Sequence, residues 1–209
     1  DPFADSVYIK GKENLENLLE SDILVQDETD NFYVYQIKMG DHTQTGLVGC
    51  CGIDDYLNNV IKKHELPKAA VEESRIYHIT ISEFTYEPVF FSYPKVSRID
   101  EIVNEVKTGE PAYDFTSSDG NQHTLWLMSE QSNIAEVNTI FDNQVPHIYI
   151  ADGHHRTAAG ALAGRELREK ASSEGKTNHR YDYLMCVLFP HDQVQILDYN
   201  RVIKDLNNL

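Results

Sequence analysis

Positive charge is what this chain has least of. Its 209 residues carry 18 lysines and arginines against 34 aspartates and glutamates, a formal net charge of −16. Such an excess repels phosphate backbones at long range, so duplex nucleic acid is not an expected partner. A local basic pocket for a small anion survives that argument. Long apolar runs are also missing. None approaches the roughly 18 residues that a membrane-spanning helix needs, so no membrane partner is expected. Cysteine is scarce: Cys50, Cys51 and Cys186 are an odd number with two adjacent, which is no disulfide framework. On a strand Cys50 and Cys51 would point to opposite faces, making them poor joint metal ligands. They read as small hydrophobes in a reducing compartment. With no signal peptide visible, a cytoplasmic location is expected.

What is present suits one large domain or two small, closely packed ones. Leu15, Leu18 and Leu19 mark a helix over Gly11 to Ser21. Asn31 to Met39 and Gln44 to Ile53, joined by Gly40-Asp41, read as a hairpin. A short helix capped by Asp54 follows, then a connector over Ile61 to Leu66. Pro67 suits the first turn of a helix running to about Phe84. Glu87 to Tyr93 is a strand and Ile99 to Val106 a helix. Ala112 to Thr116 and Thr124 to Met128 flank the turn Ser117 to Gly120, a second hairpin. Ile134 to Phe141 is helical, Val145 to Ala151 a strand, and His154 to about Lys170 a helix. The polar stretch Ala171 to His179 reads as a mobile loop. Tyr183 to Phe189 and Val194 to Leu197 are the last strands, and a helix begins at Arg201. Hairpins mixed with strand-helix units argue an α+β or mixed α/β fold rather than a regular parallel sheet. An N-terminal α/β hairpin segment over residues 1–60 is expected to pack with a core over 61–209.

The densest chemistry is Asp152-Gly153-His154-His155-Arg156, between the apolar strand His147 to Ala151 and a helix. Gly153 permits backbone angles that other residues resist. The first N–H groups of the helix are unpaired at that turn, and the helix dipole makes them attractive to anions. Arg156 adds a planar donor fork suited to phosphate, and His154 and His155 add further donors. The helix carries Ala158, Ala159, Gly160, Ala161, Ala163 and Gly164, so its backbone is expected to lie very close to the sheet. The blander reading has Asp152 capping the helix beside two surface histidines. A metal reading would join Asp152, His154 and His155 to His147 or His191. Adjacent helical histidines diverge by about 100°, so this motif alone cannot supply a full ligand set.

Asp-Gly-His-His-Arg after an apolar strand resembles the phosphate-binding turn of the ParB/sulfiredoxin-like superfamily, and most closely the Asp-Gly-His-x-Arg form of its free serine kinases. Nearly the whole chain also resembles a widespread bacterial and archaeal family of conserved proteins of unknown function, about twice as long. The marks are Ile61 to Glu65, Arg75, Asp119-Gly120 with His123 and Trp126, the Asp152 to Arg156 turn, and Ile196 to Leu206 with Asn200-Arg201. That resemblance implies a central portion truncated at both ends.

By itself His64-Glu65 is an ordinary exposed pair on a connector. The serine-kinase resemblance implies that Glu65 acts on the substrate hydroxyl, with His64 as the next candidate. Leu66-Pro67 departs from the Leu-Thr that usually follows, so any role of that threonine hydroxyl is lost. Arg75 and His123 are further cleft candidates. Their blander readings are a solvated ion pair for Arg75 and an ordinary strand residue for His123, with Trp126 in the core.

Two functions compete. One is a small-molecule kinase that phosphorylates a free hydroxyl compound such as serine, using ADP or ATP with Mg2+; the turn holds the phosphates and Glu65 accepts the hydroxyl proton. The other is a non-catalytic nucleotide or phosphometabolite-binding module. A ParB-like nucleic-acid protein fits the charge poorly. In a sulfiredoxin-type reductase His154 would stand where the reactive cysteine belongs.

Overall fold

In a computed structural model that describes residues 4–65, 69–177, 179–198 and 200–205, eight strands form one mixed sheet. Helix α1 (Asp5–Glu20) precedes the hairpin β1 (Phe32–Met39) and β2 (His42–Gly52). Then come α2 (Ile53–Leu57), β3 (Ile61–Lys62), α3 (Ala69–Ser82), β4 (Val89–Tyr93) and α4 (Ser97–Val106). The second hairpin is β5 (Tyr113–Thr116) with β6 (Gln122–Met128), followed by α5 (Gln131–Gln144), β7 (Ile148–Asp152), α6 (His154–Ser173) and β8 (Tyr183–Pro190). The strand order is β3-β7-β4-β8-β2-β1-β6-β5. The fold is therefore α+β with a mixed sheet, as the sequence indicates.

Residues on both sides of position 60 build this sheet, because β1 and β2 lie between β8 and β6. Both expected hairpins form with antiparallel register, Met39 opposite His42 and Thr116 opposite Gln122. Gly40 and Gly120 take the positive φ values that their turns require. The two parallel pairs, β3 with β7 and β4 with β8, need helical crossovers, which the intervening helices provide.

The core joins Val34, Leu47 and Trp126 of the hairpin strands to Phe91, Ile148 and Ile150, and to Ile99, Ile102 and Val137 of the helices. Trp126 lies in this core, as expected. Cys50 and Cys51 separate as their strand dictates: Cys50 is exposed, while Cys51 packs its sulfur 3.0 Å from that of the buried Cys186.

Several expected elements differ. Asp54 does not cap α2; Gly52 holds the cap position without a side-chain bond, and Asp54 instead receives two hydrogen bonds from Arg168. The Ile61 connector contains a two-residue strand. Helix α6 runs into the expected loop, to Ser173. Val194 to Leu197 is not a strand: no sheet edge reaches it, and Ile196 is 96% exposed. Residues 201–205 are not helical. Pro67, Leu66 and residues 206–209 lie outside the described residues.

Candidate functional site

Strand β7 ends at Asp152 and α6 begins at His154, so the turn between them is the single residue Gly153. Gly153 has φ +91°, a left-handed conformation that a side chain would strain. It occupies the N-cap position, and no side chain caps the helix. Asp152 is therefore not a capping residue. Its carboxylate instead receives a hydrogen bond from Arg156 (2.7 Å), one helical turn on. Thr157 is fully buried and donates from its hydroxyl to the Gly153 carbonyl (2.9 Å), which pins the first turn.

Arg156 is held by three partners, Asp152, Glu87 and the Pro88 carbonyl (3.3 Å). Besides Asp152 it donates to Glu87 (2.7 Å), just before β4. Register explains the meeting, since Phe90 of β4 stands opposite Asp152 of β7. Glu87 was not a candidate on sequence grounds. It sits 69 positions from Arg156, and no local pattern links the two.

His64 and Glu65 reach the same turn through a different pairing. Strand β3 runs parallel to β7, with Ile61 beside Ile148 and Lys62 beside Tyr149. Extending that register by three residues brings His64 level with Ala151 and Glu65 level with Asp152. The contacts agree. The His64 and His154 rings meet edge to face at 4.2 Å between centroids. The His64 N–H donates to His154 Nε2 at 3.5 Å, and Glu65 Oε2 lies 3.8 Å from His154 Nδ1. His154 is 5% exposed, whereas Glu65 is exposed. Burial, followed by the neighbouring His64, pushes the His154 pKa below the ordinary histidine value, against the opposing pull of Glu65 and Asp152. A neutral ring that accepts at Nε2 carries its proton on Nδ1, toward Glu65.

A cavity of about 270 Å³ adjoins the turn. Arg75 of α3 and Arg156 line it, over an apolar floor that includes Val89, Ala159 and Leu184. His78 and Tyr86, also in its wall, stack at 4.7 Å. The structure thus gathers Asp152, Gly153, His154, His155, Arg156, His64, Glu65 and Arg75 into one region. His123 is not among them. It lies on β6, five strand positions from β7, or about 24 Å at about 4.8 Å per strand. There it shares hydrogen bonds with Tyr35 and Ser117 and stacks on Phe115. His147 stands at the start of β7 and His191 beyond β8, so neither joins Asp152 and His154. Among the described residues no three or more His, Cys, Asp or Glu side chains are arranged to hold a metal ion, and no helix is long and apolar enough to cross a membrane.

The close seating of α6 has a different neighbour from the one expected. A Cβ at Gly164 would come within 2.5 Å of the Tyr181 carbonyl and 3.2 Å of Ile53, so the tightest approach is to the segment before β8 rather than to a strand. Ala158, Ala159, Ala161 and Ala163 are all at most 1% exposed.

A family model described as "Protein of unknown function (DUF1015)" matches residues 1–209. No curated protein and no solved structure matches the chain.

Proposed function

The chain belongs to the DUF1015 family of proteins of unknown function, and we propose that it binds a nucleotide and transfers its terminal phosphoryl group to a small hydroxyl compound such as serine. The observation that carries this reading is the convergence of Glu65 on His154 at the N-terminus of α6, across 89 positions of sequence. A phosphoryl-transfer site needs donors for the phosphates and a base beside the attacking hydroxyl. The N-terminus of α6, the positive end of its helix dipole, would supply the first. Exposed Glu65 supplies the second. In that reaction Glu65 takes the hydroxyl proton as the oxygen forms a bond to the terminal phosphorus. The bond to the bridging oxygen breaks, and the shortened nucleotide leaves. Neutral His154 presents its Nδ1 proton toward Glu65 Oε2, 3.8 Å away. The ParB/sulfiredoxin-like likeness of the turn belongs to this same reading.

The local charge adds a condition. Glu65, Glu87 and Asp152 outnumber Arg75 and Arg156, so bare phosphate would meet net negative charge. A nucleotide carrying Mg2+ relieves that repulsion, and in this reading Asp152 is the carboxylate that would meet such an ion, leaving Glu65 as the base. Magnesium commonly binds through one or two carboxylates together with substrate phosphates, so a full protein cage is not required.

The engagement of Arg156 by Asp152 and Glu87 favours a second reading, a nucleotide-binding module without chemistry. One experiment separates the two. Purified protein is incubated with ATP or ADP, Mg2+ and L-serine, and phosphoserine is measured by mass spectrometry. Glu65→Gln is expected to reduce turnover at least 100-fold, in keeping with the general-base contribution of about 10²–10⁴, while nucleotide affinity changes less than threefold. Binding without any turnover in the native protein leaves the module reading.

A further inference from the structure

We propose that a second binding site, for a small anion with a carboxylate or phosphate head, lies at the other end of the sheet, with Lys107 as its charged anchor. The site is a cavity of about 290 Å³ lined by residues of β2, β4 and α4, with Gln193 at its side. It opens where β4 and β8, a parallel pair, both end, at Tyr93 and Pro190. Crevices at the carboxyl ends of parallel strands are where open α/β sheets commonly take ligands. Asp152 lies beside Phe90, three residues back along β4, or about 10 Å at about 3.3 Å per residue. The two sites are therefore distinct.

Charge selects the ligand. Two lysines line the cavity, and their situations differ. Lys95 is neutralised, 2.7 Å from Asp192 and 3.3 Å from Asp100. Lys107 has no carboxylate within 4.0 Å among the described residues. Its ammonium donates only to the Thr45 hydroxyl (3.3 Å) and lies 5.8 Å from the Trp126 ring centroid. With one neutral protein acceptor, this half-buried ammonium keeps protons that an anion can accept, because it has three to place. Burial also pulls its pKa below the ordinary lysine value. An anionic oxygen in the cavity supplies the missing partner.

The rest of the wall suits such a group. Strand β2 extends past its last pair with β8, Leu47 with Leu188, so His42 to Thr45, paired with β1 on one edge, have no ladder partner among the described residues on the other. The Thr45 N–H on that edge is taken by Gln193 Oε1 (2.8 Å). Thr43, two residues away, presents its backbone to the same side. Its hydroxyl and the Asn104 amide complete a polar rim. The volume lies at the low end of small-molecule sites, about 300–1,000 Å³, which suits a compact metabolite.

The test is an amide-shift titration by nuclear magnetic resonance at constant ionic strength. Sodium acetate and inorganic phosphate are the two probes, and sodium chloride is the reference. Saturable shifts at Thr43, Thr45, Asn104 and Lys107 are expected with at least one probe. Acetate alone would mark a carboxylate site, and phosphate alone a phosphate site. Lys107→Met and Lys107→Gln, checked for native shifts elsewhere, should weaken that binding at least fivefold, while Arg156→Ala leaves it unchanged. Failure of both probes to shift these residues in the native protein overturns the proposal. So does weakening of less than fivefold in both Lys107 variants.

Discussion

His154 is the residue on which the candidate site turns, and its burial gives it a pH signature. Its folded-state pKa is depressed, chiefly by burial, relative to the ordinary value of about 6.5. The unfolded chain therefore takes up a proton there before the folded one does. The associated stability is fully present above about pH 6.5 and is lost as the pH falls through the folded-state pKa. Urea unfolding of the native protein and of His154→Asn between pH 8 and pH 5 checks this. The native protein should lose more stability on acidification than the variant does. Parallel profiles would mean that burial of the ring does not govern its protonation.

Helix α6 sets the position of the turn, and its two interior glycines are not equivalent. A Cβ at Gly160 meets nothing closer than the Leu184 Cβ at 3.8 Å, an ordinary contact. Gly160→Ala should therefore stabilise the protein by about 0.5–1 kcal/mol through helix propensity. At Gly164 the same methyl would lie 2.5 Å from a backbone oxygen of Tyr181, which cannot swing aside as a side chain can. Gly164→Ala should destabilise by about 1–3 kcal/mol, the usual range for overpacking. Denaturant midpoints at unchanged m-value distinguish the two outcomes. The opposite ranking would place the tight packing of α6 elsewhere along its length.

For the whole molecule, the net charge of −16 and the acidic surround of the turn point the same way. A nucleotide should bind as its magnesium complex and much more weakly without the ion. At a ligand concentration 100 times its dissociation constant, binding adds about 2.7 kcal/mol. For a chain of this size that raises the melting temperature by roughly 5–11 °C, at about 2–4 °C per kcal/mol. Thermal unfolding with ADP or ATP, each with and without Mg2+, checks both parts. No shift with any combination would remove the nucleotide reading, enzyme and module alike.

Local chemistry made much of this protein legible from its sequence. The two hairpins follow from alternation around glycine turns, and the β7–α6 junction from an apolar strand meeting Gly153 and a run of small residues. These signals span a dozen residues or fewer, and period and turn chemistry act at that range. Strand order does not, and it decided the rest. The parallel pairing of Ile61 with Ile148 carries Glu65 to the turn, while five strand positions carry His123 away from it. The hold of Glu87 on Arg156 and the unmatched charge of Lys107 likewise depend on which distant segments close together. Val194 to Leu197 has the alternation of a strand, yet a strand requires an edge to pair with, and none reaches it. Periodicity states what a segment can become; the neighbours that supply its hydrogen bonds and counter-charges come only from the closed fold.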